Sequence, residues 1–510
     1  MPVPFDTEIL ISGAGAAGLA LAIDLARRGV DFILIEQNTQ PFEGSRGKGI
    51  QPRTMEVFED FGVADRLAAA GGPYPPLRVY HADGTIEEGS LTEAGAIPTP
   101  AEPYAGPLLV AQFRTEAVLR ERLAEFGYQP RFGMRLKGFE QDGEGVSARV
   151  EDATGERRIR ARYLIGTDGG RSFVRHALDI GIPGETLGVR ALVADVELEG
   201  LDRLAWHRFQ GGSSATQLLV CPLVGTDLFQ LQGPVPLEGD VDLTPEALTT
   251  LVCERSGRKD IVIRSVSWSS VYAMNARLAD SYRVGRVFLA GDAAHIHPPT
   301  GGQGLNTSVQ DAYNLAWKLA AVLAGAPGTL LDTYEEERRP IAADMLGLAT
   351  RLLGEATSGQ MRRSREVRQL DLGYPRSSLS LADQGGPARV LAHVVAGDRA
   401  PDAPCLGRAG QPTRLFTLCQ GPHWTLLGND DGHRPRPRKD LRLIVVGKGG
   451  DVIDDGGHID AAYGLEAGAW ALIRPDGYIA GIFAAENLDQ TLSAYLDGVQ
   501  PKLGGVGDPR

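Results

Sequence analysis

The segment Glu8-Ile-Leu-Ile-Ser12 followed by Gly13-Ala-Gly15-Ala-Ala-Gly18 constrains this chain more than any other. A short continuous apolar run reads as a strand buried on both faces of a parallel sheet. Ala16 to Arg28 is rich in Ala and Leu, carries no proline and stops at Gly29, the pattern of a helix with a glycine end. Val30 to Ile35 is a second apolar run, and Glu36 closes it. The whole is one βαβ unit in about thirty residues. The first glycine permits the tight turn, the second lets backbone approach a pyrophosphate, and the third brings helix close to strand. Free N–H groups and the positive dipole end of the helix then face the anion. Glu36 is placed to accept hydrogen bonds from both hydroxyls of a ribose.

Composition narrows the alternatives. Of the 510 residues, 43% are hydrophobic and 23% charged, which is ordinary globular usage. The length predicts two or three domains. A net charge of −13 argues against a nucleic-acid partner, since phosphate backbones require clustered positive charge. The one dense basic tract, Arg434-Pro-Arg-Pro-Arg-Lys439, is short, broken by proline and reads as a solvated loop. Cys221, Cys253, Cys405 and Cys419 are widely spaced and form no CxxC, so neither a disulfide framework nor a zinc site is legible. Cys221 and Cys253 read as core thiols. The N-terminus lacks a signal-peptide pattern, and the longest uncharged apolar stretch, Ile9 to Ile23, is shorter than the ~18–20 residues of a membrane helix. The expectation is a soluble, cytoplasmic protein with no membrane partner.

Two later strand-then-acid patterns echo the first. Tyr163-Leu-Ile-Gly-Thr-Asp168-Gly places an acid just past a strand, and Val287-Phe-Leu-Ala-Gly-Asp292 repeats it. The second leads into Pro298-Pro-Thr-Gly-Gly-Gln-Gly304-Leu-Asn306 and then a helix to about Leu323. A Pro/Gly loop feeding a helix N-terminus presents several N–H donors to a negative group. From roughly 185 to 275 the chain alternates β-rich stretches with turns, which predicts a largely antiparallel sheet inserted into one nucleotide-binding domain. Tyr334 to Arg339 reads as the end of a helix before Pro340. His295 and His297 are two apart with no third ligand, so no metal site is expected. Gly447-Lys-Gly-Gly450 lacks the third glycine of a dinucleotide turn, and no GxSxG occurs.

Together, GxGxxG with its acid, the Asp168-Gly169 motif, and Gly291-Asp292 followed by P-x-x-G-x-G-x-N resemble the class A flavoprotein monooxygenases, the para-hydroxybenzoate and phenol hydroxylase group. Further matches are Ser45-Arg46-Gly-Lys-Gly-Ile50, Gln112-Phe-Arg-Thr-Glu116 and the helix Gln310 to Lys318. The resemblance covers about residues 5–350 strongly. It implies an α/β fold: a Rossmann-like FAD-binding domain (1–180 and 276–395, the latter with helices), an inserted mixed or antiparallel substrate sheet (181–275), and a thioredoxin-like C-terminal domain (396–510) without CxxC, entered through Arg399-Ala-Pro-Asp402. By this resemblance Gly13, Gly15, Ala17 and Gly18 lie at the FAD pyrophosphate, and Glu36 with Gln37 at the adenosine. Arg46, Gln112 and Leu136 flank the cofactor. Asp292, Gly304, Leu305 and Asn306 hold the ribityl chain and the pyrimidine edge, and Asp168 helps link FAD to the nicotinamide cofactor. Ala16-Ala17 departs from the Pro or Thr that the family often shows, but the backbone N–H remains.

The implied activity is FAD-dependent, NAD(P)H-consuming hydroxylation of an aromatic, phenolic or polycyclic small molecule with O2, through a flavin C4a-hydroperoxide. No protein nucleophile is required, so Arg46 and Asp292 act by positioning the cofactor. Trp206, His207, Phe209, Gln217, Tyr272 and Pro298 are the candidates for lining the substrate pocket. Baeyer–Villiger insertion or epoxidation on the same fold stays open, as do NADH against NADPH and a non-enzymatic FAD protein. The branch resemblance favours a homodimer.

Overall fold

The structure, a computed structural model, describes residues 4–90, 97–211, 216–357, 364–381, 393–429 and 434–500. The chain enters as β1 (Thr7–Ser12), turns through the glycines into α1 (Ala16–Arg27) and returns as β2 (Phe32–Glu36). Helix α2 (Gln112–Glu125) follows, and then the long strand β3 (Gly155–Gly166). β1 lies between β2 and β3, parallel to both, with Ser12 level with Ile35 and Gly166. β1, β2 and the last four residues of β3 are almost wholly buried, which explains the apolar runs there, whereas the first half of β3 is charged and exposed.

From β3 the chain crosses into a second sheet: β4 (Gly184–Glu199), β5 (Trp206–Phe209), β6 (Leu218–Pro222), β7 (Phe229–Val235), helix α3 (Pro245–Ser256) and β8 (Val262–Leu278). The order runs β8-β4-β7-β6-β5, and all these pairs are antiparallel. A hairpin from the first part of the chain, Leu77–Tyr80 with Ile86–Gly89, extends this sheet by pairing parallel to β5. Strand pleating gives the sheet two chemical faces. Leu192, Ala194, Val196, Leu218, Val220, Leu231 and Phe229 form an apolar core with Leu248 and Val252 of α3. The other face carries Ala191, Val193, Asp195, Gln230, Trp268 and Tyr272 and turns towards the first domain.

The chain then re-enters the first sheet as β9 (Val287–Leu289), parallel to β3, and continues into α4 (Gln303–Leu323) and α5 (Asp332–Thr357). Because β1, β2, β3 and β9 all run the same way, the turns after Ser12, Glu36, Gly166 and Leu289 open at one edge of the sheet. Helix α5 does not stop before Pro340, as the sequence reading expected; Pro340 lies inside it. Pro340 and Glu336 are both on the exposed side, so the carbonyl that proline cannot bond faces water, while buried Glu337 and Arg338 hold the helix in place.

The last part holds a third sheet built on β10 (Trp424–Asn429), β11 (Leu441–Val446), β12 (Ala469–Ile473) and β13 (Ile479–Ala484), with α6 (Leu488–Val499). β10 pairs parallel with β11 and antiparallel with β12. A fully buried ionic cluster joins this part to the first domain. Glu337 accepts from Lys318 at 2.7 Å, from Arg474 at 2.6 and 2.9 Å, from Asn314 at 2.7 Å and from Ser377 at 2.6 Å. Arg474 also pairs with Asp476, which takes the Trp317 indole N–H at 3.1 Å. Burial pulls Lys318 down to about 8 despite Glu337 beside it. Burial opposes the Glu337 charge too, but Arg474 and Lys318 hold its carboxyl well below the usual range.

Removing one partner from such a cluster strands the others as buried charges, which costs about 3–5 kcal/mol. Glu337→Ala is therefore expected to lose stability of that order in urea unfolding, and limited proteolysis should release the C-terminal part first. A loss under about 1 kcal/mol would show that the cluster is not what joins the two parts.

Candidate cofactor and active site

The glycine turn separates what the fold needs from what a ligand needs. Gly13 adopts φ +112°, and a Cβ there would stand 2.4 Å from the Thr167 carbonyl oxygen. A Cβ on Gly18 would stand 2.0 Å from the Gly13 carbonyl oxygen. Packing of α1 onto β1 and β3 thus accounts for both. Nothing in the protein accounts for Gly15, where a Cβ would meet only a Glu116 carboxylate oxygen at 3.9 Å. That open space lies at the N-terminus of α1, beside Ala17, where the first-turn N–H groups have no helical acceptors.

Three carboxylates converge on this turn. Glu36 ends β2, and its two oxygens accept from the Ala14 and Asn38 N–H groups, each at 2.9 Å. Gln37 beside it is exposed. Glu116 of α2 is 1% exposed and accepts from Gln112 at 2.9 Å. Burial pushes its carboxyl up to about 7, against the pull of Gln112 and the Ala16 N–H, and the Glu36 charge adds to the rise. Asp168, past β3, accepts from the Val174 N–H at 3.1 Å, while its Oδ1 is buried with no hydrogen-bond partner. Burial raises its carboxyl as well. Leu136 packs its side chain into the core of the first sheet.

The Gly44–Gln51 segment forms a seam between the sheets. On one side, buried Ser45 donates to Asp195, Gln230 donates to Ser45, and Lys48 donates to Gln230. Burial pushes Asp195 up to about 6. On the other side, the Gly47 N–H donates to Gln112 at 3.0 Å, and Asn306 bonds the Gln51 N–H and the Gly49 carbonyl at 2.8 and 2.9 Å. The Asn306 side chain is thus committed to backbone, also bonding Gly302 at 2.6 Å. What residues 304–306 offer a ligand is the main-chain start of α4. Arg46 is exposed and lies over the rings of Phe42 and Trp268, at 5.7 and 5.9 Å.

Asp292 is exposed at the turn that follows β9. The surrounding protein raises its carboxyl by desolvation, against the pull of His295 and Arg46. The buried Pro298 begins the Gly-rich loop beside it. Above stands the inner face of the second sheet, with Trp268 and Tyr272 on β8; the Tyr272 hydroxyl is pushed up to about 12 by burial, with Arg46 pulling the other way.

The pocket candidates divide by strand parity. Trp206 faces inward, under the Lys48 ammonium at 4.3 Å and beside Tyr74. Gln217 accepts from Arg208 at 3.2 Å, an inward neighbour. His207 and Phe209 are corrected: they point to the other face. Phe209 stacks on Tyr80 at 4.5 Å in the core under α3, and His207 bonds Tyr80 and the Asp202 carbonyl. Trp268 and Phe42 escaped notice in the sequence, although Trp268 shares the inward parity of Tyr272 four residues on. Glu116 and the Ser45–Asp195–Gln230–Lys48 cluster also emerge only here. Among the described residues no group of His, Cys, Asp or Glu is arranged to hold a metal ion, and no helix is long and apolar enough to cross a membrane.

Residues 6–349 match the family model described as FAD binding domain. A flavin-dependent monooxygenase of Mycobacteroides abscessus is 42% identical over 92% of this chain and 96% of its own. A rifampicin monooxygenase of Rhodococcus hoagii is 33% identical over 96% and 98% of the two chains. Among solved structures, a ternary complex of aklavinone-11 hydroxylase with FAD and aklavinone superposes with a TM-score of 0.83 at 29% identity, covering 98% of this chain and all of the other. The glycine turn, the carboxylates around it and these likenesses agree. The chain belongs to the FAD binding domain family, among the FAD-dependent aromatic monooxygenases.

Proposed function

We propose that this enzyme hydroxylates a polycyclic aromatic small molecule, using NAD(P)H and O2. The observation that carries the reading is what gathers around Arg46. Its guanidinium lies 5.9 Å from the Trp268 ring and pulls on both the Tyr272 hydroxyl and the Asp292 carboxyl, so an aromatic face of the second sheet and an acid of the first domain border one place. Relatives named for aklavinone, tetracycline-type and rifampicin substrates support a large ring system over a simple phenol, and support hydroxylation over ester-forming oxygen insertion.

FAD held by these residues would supply the redox chemistry, with NAD(P)H as reductant and O2 as oxidant. In this reading the residues of the chain do the rest. Gly15 leaves room for the pyrophosphate against the α1 N-terminus, with Gly13, Ala17 and Gly18 completing the turn. Glu36 holds the ribose and Gln37 the adenosine, and Leu136 backs that end. Gln112 and Arg46 flank the ring, Asp292 bonds the ribityl chain, and Gly304, Leu305 and Asn306 present main-chain N–H groups to the pyrimidine edge. Asp168 contributes where the nicotinamide approaches. Trp268, Tyr272 and Trp206 exclude water from the reacting face.

The same reading divides the chain at about 180, 275 and 395 and makes the last part thioredoxin-like. Its thiols support a scaffold over a redox role. Burial pushes Cys405 up to about 11 and Cys419 to about 12, so neither is a ready thiolate.

Three measurements bear on this. Purified enzyme screened with polycyclic phenols and simple phenols should oxidise NAD(P)H faster with the former, and NMR of the product should show one new ring hydroxyl. Stimulation by simple phenols alone would overturn the substrate reading. Glu116 is ionised above about pH 7, and a carboxylate beside a pyrophosphate repels it. FAD affinity by fluorescence titration should therefore rise as pH falls from 8 to 6, by up to about tenfold per unit above 7. Glu116→Gln should bind tightly and without that slope. Anaerobic stopped-flow should show substrate accelerating flavin reduction at least ~10-fold, about 1.4 kcal/mol in the barrier, and Arg46→Ala should blunt the response. Equal rates with and without a substrate that is demonstrably hydroxylated would overturn this coupling.

A further inference from the structure

The second sheet holds the segment that carries Arg46 on a single rung. Gln230 of β7, Asp195 of β4 and Trp268 of β8 stand opposite one another across three strands, on the face turned towards the first domain. A Cβ on Gly44 would stand 2.2 Å from the Trp268 ring, so the backbone there lies flat on the indole. Ser45 follows, fully buried and with every polar group engaged. Its hydroxyl and its N–H donate to Asp195, and its carbonyl and hydroxyl oxygens accept from Gln230 Nε2, the latter at 2.7 Å. Arg46 is next, its guanidinium over the Phe42 and Trp268 rings. At Gly47 the chain has changed sides, and its N–H donates to Gln112 of α2 at 3.0 Å. The backbone at Arg46 is thus fixed on one side by Ser45 and on the other by Gly47.

Asp195 exceeds what a scaffold requires. It is fully buried, and its Oδ2 has no hydrogen-bond partner. Burying a carboxylate is costly unless its charge is used, and an amide would fill the same space without one. What the charge adds is strength at Ser45, since bonds to an ionised acceptor are about twice as strong as neutral ones.

We propose that Asp195 is a positioning residue for Arg46: through Ser45 its carboxylate fixes the backbone from which the guanidinium projects, and so restrains flavin reduction until substrate arrives. The proposal rests on the reading that Arg46 flanks the flavin and carries the response to substrate. Burial pushes the Asp195 carboxyl up to about 6, against the pull of the two Ser45 bonds and of Lys48. Above that pH the anion holds Ser45. Below it a proton has the partnerless Oδ2 to occupy, and Ser45 keeps only bonds to a neutral acceptor. From the neighbouring strands Gln230 and Trp268 face Asp195, and neither titrates. From the segment itself the charged group is Lys48, whose ammonium donates to Gln230 and lies 4.3 Å from the Trp206 ring. Tyr272, four residues beyond Trp268, has its hydroxyl pushed up to about 12 and stays neutral throughout.

Two experiments test it, both on the full chain with saturating FAD, because Glu116 titrates near 7. Hydrogen exchange over residues 44–51, corrected for the intrinsic rate, should show protection falling at least ~2-fold between about pH 7.5 and 5.5 in the parent and staying constant in Asp195→Asn. Constant protection in the parent would overturn the proposal whatever the substrate is. Anaerobic stopped-flow then compares reduction with and without a substrate that does not itself titrate in this range. The ratio should fall from at least ~10-fold to under about 4-fold over the same interval, with a midpoint near 6, because the rate without substrate rises. Asp195→Asn should give the low ratio at both pH values, and adding it to Arg46→Ala should change the ratio no further. Ser45→Ala, which removes one bond and leaves the carboxylate, should lower the ratio at pH 7.5 and covers the case in which Asn fails to fold. A full, pH-independent ratio in Asp195→Asn would overturn the positioning role. A ratio of one in the parent at every pH would overturn the reading of Arg46 beneath it, a result that the exchange experiment distinguishes.

Discussion

The rest of the site depends on one close approach: α1 meets β1 and β3 at a distance that only hydrogen at Gly13 and Gly18 allows. Thr167 clamps it, its hydroxyl donating to the Ser12 and Gly13 carbonyls at 3.1 and 2.8 Å. That contact fixes the helix N-terminus at the sheet edge where Glu36, Asp168 and, across β9, Asp292 also emerge. Parallel strands bring their ends together, so acids more than a hundred residues apart in sequence face one volume. The convergence is electrostatically awkward. Burial raises Glu116, Asp168, Asp195 and Asp292 alike, and an N-terminal helix dipole with few cations nearby must serve an anionic cofactor.

What was legible in the sequence was local. Gly13 to Gly18, Glu36, Asp168 and Asp292 each follow an apolar strand, and that context needs no knowledge of tertiary structure. Asn306 and Gln112 were recognisable from their segments, but their side chains prove to fasten backbone, which no motif states. The pocket was less legible for a geometric reason. Alternation says that Trp206 and His207 face opposite ways, and it does not say which way is inward. His207 and Phe209 fell on the α3 side, while Trp268, on the inward parity of Tyr272, went unseen. The Lys318–Glu337–Arg474 cluster joins residues up to 156 positions apart, so no window along the chain could show it. Pro340 misled because propensity describes an isolated helix, and tertiary bonds from Glu337 and Arg338 override it.

The three sheets are not equally independent. The C-terminal part is bound by buried charge, with Glu337 contributing to a domain it does not belong to by sequence. Cutting the chain near residue 396 would remove Arg474 and Asp476 and leave Glu337 with Lys318, Asn314 and Ser377 as its partners. The last part thus stabilises the module that carries the glycine turn without approaching that turn.

The seam at residues 45–51 has a mechanical consequence. Its attachments alternate: side chains of Ser45 and Lys48 bind the second sheet, whereas the main chain at Gly47, Gly49 and Gln51 binds the first domain. A strip stitched in this way to two bodies cannot follow either one alone. Any shear of one sheet over the other loads the strip at Arg46, which lies against the Phe42 and Trp268 rings, and small displacements of the two bodies become a larger swing of that one guanidinium.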